Sequence, residues 1–92
     1  MGIGTIPQLM ADEAILREVL NERASQIIKH GYTPDADDQN NDLADFVTYI
    51  GQHTQYALVH QRYNGPKFRR EMVQIAALAV AAIASYDRKV PS

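Results

Sequence analysis

The sequence predicts an all-α protein, a three-helix antiparallel unit that completes a helical bundle by homo-oligomerisation. Three observations carry this expectation. Apolar residues recur at the 3.6-residue helical period in three stretches, and nowhere do they alternate with the two-residue period of a strand. Segments rich in Pro, Gly, Asp and Asn separate the stretches. The third stretch is apolar around most of its circumference, so it needs partners on most sides, and one chain of 92 residues supplies only some of them.

Residues 1–11 hold two Gly and a Pro and read as an irregular N-terminal segment. The first helix is expected over about 12–30. Asp12 and Glu13 suit a helix start, where the dipole favours acids. Ile15, Leu16, Val19, Leu20, Ala24, Ile27 and Ile28 make its apolar stripe, and His30-Gly31 is a helix stop. Tyr32 to Asn41 reads as a polar loop, and Asn40 or Asn41 suits the next cap. The second helix is expected over about 41–61, on the stripe Leu43, Phe46, Val47, Ile50, Thr54, Ala57 and Leu58. Gly51 within it costs about 1 kcal/mol relative to Ala, which suggests close helix approach at that point. Asn64-Gly65-Pro66 is a turn, and Pro66 suits the opening of a third helix over about 66–87. There Phe68, Met72, Ile75, Ala79, Ile83 and Tyr86 form one stripe. Val73, Ala76, Ala77, Val80 and Ala84 cover much of the remaining surface. This helix is expected near the subunit interface, with its alanines allowing close backbone approach.

Composition narrows the function classes. The chain is 46% apolar and 22% charged, as an ordinary globular domain is. With no cysteine it has no disulfide scaffold, thiol nucleophile or Cys-based metal site. A net charge of −2 argues against a strongly basic nucleic-acid module. The opening residues show no signal-peptide pattern. The apolar run from Met72 to Ala84 is too short for a bilayer, so no membrane association and a cytoplasmic location are expected.

Charge is distributed unevenly. Residues 1–30 carry −1, residues 31–65 carry −4 and residues 66–92 carry +3. An acidic middle before a basic end suits either solvated helix ends or a divalent cation beside an anion. At the helical period Glu18, Glu22 and Gln26 line one edge of the first helix. Asp42, Asp45, Tyr49, His53, Tyr56 and His60 line one edge of the second. If these helices pack antiparallel, their acids face each other across a groove. Four carboxylates from two helices are a known way to hold Mg2+ or Mn2+. The alternative is that they are solvated flanks. Tyr49, His53 and Tyr56 suit either base stacking or a partly buried seam. Lys67, Arg69 and Arg70 open the third helix, where free N–H groups add to their positive charge and suit a phosphate. Pairing with the acidic segment is the alternative.

These residues carry a family likeness. Asp42-Leu43-Ala44-Asp45-Phe46-Val47 resembles the E-L-x-D-hydrophobic motif of the MazG-like all-α nucleotide pyrophosphohydrolases. Glu22-Arg23-x-x-Gln26, Gly31-Tyr32-Thr33-Pro34 and Asp37-Asp38 follow the order seen in small phage and prophage proteins of the dATP/dGTP-diphosphohydrolase-like group. Arg69-Arg70-Glu71-Met72-Val73-Gln74-Ile75-Ala76-Ala77-Leu78 and Asp87-Arg88 resemble that group's tail, so the likeness spans roughly residues 18–88. It implies Mg2+- or Mn2+-dependent hydrolysis of deoxynucleoside triphosphates. Glu18, Glu22, Asp42 and Asp45 would hold metal, with Asp38 beside them and Glu22 and Asp42 as the catalytic pair. Gln26, Tyr49, Lys67, Arg69 and Arg70 would face the substrate.

The chain also departs from that pattern. Ala36 stands where the group has His, Asp42 where it has Glu, and Gln74 where it has Lys. Tyr63-Asn64-Gly65-Pro66 replaces a tryptophan-rich stretch, and the first-helix acids are spaced i,i+4 rather than i,i+3. The alternative is therefore a catalytically degenerate relative that sequesters a nucleotide or binds and inhibits a host protein. A purely structural role, with the third helix as the assembly surface, is the third possibility.

Overall fold

The computed structural model describes residues 6–30 and 43–89. They form three helices: α1 (Pro7–His30), α2 (Leu43–His60) and α3 (Gly65–Lys89). No strand occurs among the described residues. The all-helical expectation holds, and the helix ends move by a few residues.

The largest shift is at the start of α1, which begins at Pro7 rather than near residue 12. Ile6 supplies the first helical acceptor, its carbonyl taking the Met10 N–H at 3.0 Å. Pro7 is then the first helical residue, where its missing N–H costs nothing and its fixed φ suits the helix. Asp12 and Glu13 accordingly lie inside the helix, and Glu13 pairs with Arg17 one turn on. Gly31, Asn40 and Asn41, expected as caps, lie outside the described residues.

α2 and α3 form an antiparallel hairpin. Residues 61–64 make the turn, with the Asn64 N–H donating to the His60 carbonyl. The Asn64 side-chain oxygen then accepts the Lys67 N–H at 3.2 Å, so Asn64 caps α3. The sequence places the β-branched Thr48 and Thr54 mid-helix, and each hydroxyl bonds the carbonyl four residues back. Phe46 and Ala57 are the buried residues of α2. Ala77, Leu78, Ala81 and Ser85 are those of α3. The small side chains of Ala77, Ala81 and Ser85 leave room for a neighbour on this face. The row of larger residues lies on another side of α3, and Phe68, Met72, Ile83 and Tyr86 all stay exposed.

α1 packs on α3, and it does not pack on α2. Among its described residues the buried one is Val19, near its midpoint. Much apolar surface stays uncovered. Leu16 and Leu20 on α1 are each 60% exposed, and Ile83 on α3 is 62% exposed. No helix is long and apolar enough to cross a membrane among the described residues.

Candidate functional site

Among the described residues α1 and α2 make no contact, so the expected acidic groove does not form there. α1 and α2 take different faces of α3, and Glu18 of α1 meets α3 instead of α2. The physical reason lies in α3. Met72, Val73 and Ala76 offer α1 a shallow apolar seat beside Arg69. The Ala77–Ala81–Ser85 face is buried separately.

Glu18 is the clearest case. Its two carboxylate oxygens accept hydrogen bonds from the two terminal nitrogens of Arg69, at 2.7 and 2.8 Å. A bidentate guanidinium–carboxylate pair is the strongest and most directional form of this contact. Hydrogen bonding from Arg69 holds the Glu18 carboxyl below the ordinary glutamate range. Desolvation opposes this, and the Arg69 charge adds a smaller lowering. The same contact raises Arg69. Thus an expected metal ligand and an expected phosphate contact satisfy each other. Of the two readings of the basic start of α3, pairing with an acid is what Arg69 does, although the acid comes from α1 rather than from the middle segment.

The other expected residues fall into three groups. Glu22 and Gln26 are half-buried on α1, farther along from Glu18. Asp45 and Tyr49 are half-buried on α2, away from the α1 acids. Lys67 and Arg70 are exposed in the first turns of α3. Asp38 and Asp42 lie outside the described residues. Among the described residues no three His, Asp or Glu side chains gather within metal-binding reach. A hard cation needs several carboxylate oxygens with available lone pairs. Glu18 has both oxygens on Arg69, so the described acids do not present the expected four-carboxylate cradle.

The aromatic and histidine edge of α2 forms a seam. Tyr49, His53 and His60 are half-buried, while Tyr56 is exposed. His53 Nδ1 lies 2.5 Å from Glu71 Oε2, and both side chains are largely covered. Glu71 was not singled out by periodicity. Its partner was nevertheless readable, because residues 53 and 71 stand equally far from the turn of an antiparallel hairpin.

An apolar depression lies between α1 and α3. Ile15, Val19, Met72, Val73 and Ala76 line it, Arg69 stands at its rim, and its volume is about 220 Å3. Small-molecule sites usually run from about 300 to 1,000 Å3 and carry several polar groups. This depression suits an apolar side chain better than a nucleoside triphosphate. Comparison with protein-family models, with characterised proteins and with solved structures finds no match for the chain.

Proposed function

We propose that this chain is a MazG-like helical scaffold that has given up hydrolysis and acts as a self-associating binding protein, engaging protein surfaces through its uncovered apolar faces. The bidentate Arg69–Glu18 pair carries this reading, since it removes one metal ligand and one phosphate contact together. The sequence adds to it: Ala36, Gln74 and Asp42 replace three residues that the resembled group uses. The apolar surface left open on α1 and α3 supports association, with another copy first and a host protein as the target class.

The second reading is hydrolysis of a deoxynucleoside triphosphate with Mg2+ or Mn2+. The ordered series Glu22, Gln26, Asp38, Asp42 and Asp45 favours it, together with the half-buried placement of Glu22 and Gln26 on one side of α1. Calorimetric titration with Mn2+ and then with dATP and dGTP, with phosphate and pyrophosphate release followed in parallel, separates the two. The binding-protein reading expects no metal-dependent turnover. Turnover that is lost in both Glu22→Gln and Asp45→Asn would overturn it and establish the hydrolase.

A further inference from the structure

The uncovered apolar surface of α1 has an internal symmetry. Leu9, Leu16, Leu20 and Ile27 follow one another at intervals of seven, four and seven residues. That spacing averages 3.6 residues per turn, so they form a straight line along the helix. The line lies roughly a quarter of the way around α1 from the side that meets α3 at Val19. Leu16 and Leu20 are exposed to solvent, and Leu9 and Ile27 are half-buried. Nothing else among the described residues covers the two central leucines. The four positions are also symmetric about residue 18.

A symmetric apolar line fits one partner particularly well, namely itself run in the opposite direction. A two-fold axis at residue 18 sets Leu16 against Leu20 of a second copy and Leu9 against its Ile27. Such an isologous contact closes at two chains and needs no further partner.

We infer that α1 pairs antiparallel with α1 of a second copy along Leu9, Leu16, Leu20 and Ile27, forming a two-fold dimer. The inference rests on the self-association part of the function proposed above and does not depend on whether the chain hydrolyses nucleotides. In that dimer α1 is held on one side by α3 through Val19 and the Glu18–Arg69 pair. Its leucine line is held on another side by the second copy.

Sedimentation equilibrium of the full chain tests the interface. The intact protein is expected at the mass of two chains, and Leu16→Glu/Leu20→Glu at the mass of one with its helical circular dichroism retained. Both leucines are exposed in the single chain, so folding does not depend on them. Ile28→Glu, on an exposed residue off the line, is the control and should stay dimeric. Because the chain has no cysteine, orientation is readable by oxidation. A mixture of Leu9→Cys and Ile27→Cys chains is expected to cross-link, and each alone is not. A monomeric intact protein, a double variant that remains dimeric, or Leu9→Cys chains that cross-link with each other would overturn the inference. Turnover of nucleotide by a dimer with these properties would overturn the proposed function and leave the interface standing.

Discussion

Arg69 shows how a single pairing redirects the reading of several residues. Periodicity placed Glu18 on an acidic edge and Arg69 at a helix start, and each suited a ligand. The structure joins them across 51 positions of sequence. That distance is why the contact was not legible, since no local pattern says which helix will lie beside α3. Glu18 shares its edge of α1 with Glu22 and Gln26, and Glu18 itself meets α3. The pair also predicts a pH response. The carboxyl of Glu18 is lowered in the folded chain, so the pair stabilises above the unfolded glutamate pKa, and that contribution is lost as pH falls through the folded value. Glu18→Gln should lower the thermal midpoint slightly near neutrality, as expected for an exposed pair. Its gap from the intact protein should close between roughly pH 5 and pH 3. Thermal scans of both proteins across that range check this, and a gap that is constant with pH would mean the pair contributes nothing through charge.

At the scale of the element, helix existence was legible and helix neighbours were not. All three helices appear near their expected places, because stripes and turn residues are local signals. The missed first turn of α1 came from reading Pro7 as a breaker, although a proline at the first helical position starts a helix. On α3 the sequence offered a row of large apolar residues and a row of small ones. Of the residues in those two rows only Ala77 is buried; Leu78, Ala81 and Ser85, which complete the buried face, belonged to neither, and Phe68, Met72, Ile83 and Tyr86 stay exposed. Gly51 is the sharpest correction of this kind. It was expected to mark close approach, yet a Cβ built there meets nothing within 4 Å. Gly51→Ala should therefore stabilise the chain by about 0.5–1 kcal/mol through helix propensity alone. Urea unfolding measures this directly. A loss of stability would place another chain against that face of α2.

For the whole molecule, the account turns on how little one chain buries. Among the described residues the buried apolar set is Val19, Phe46, Ala57, Ala77, Leu78 and Ala81, and three of these are alanines. Alanine burial contributes far less than the roughly 1.5–3 kcal/mol of a buried leucine or phenylalanine. Open apolar surface was legible in the sequence as a third helix apolar on most sides. The α1 line was not singled out there, because its leucines were counted with Val19 in one broad stripe. Only the position of α3 divides that stripe into a covered part and an open one. The expected carboxylate groove was less legible for the same reason, since it assumed that α1 and α2 are neighbours.

The most direct test of this account is the concentration dependence of thermal unfolding. A partner that binds only the folded chain raises its apparent stability by mass action. If a second copy completes the fold, the midpoint of the intact protein should climb steadily with protein concentration, while that of Leu16→Glu/Leu20→Glu stays flat and lower. A midpoint independent of concentration in the intact protein would show that a single chain is stable as it stands, and would contradict the claim that its open apolar faces are held by another copy.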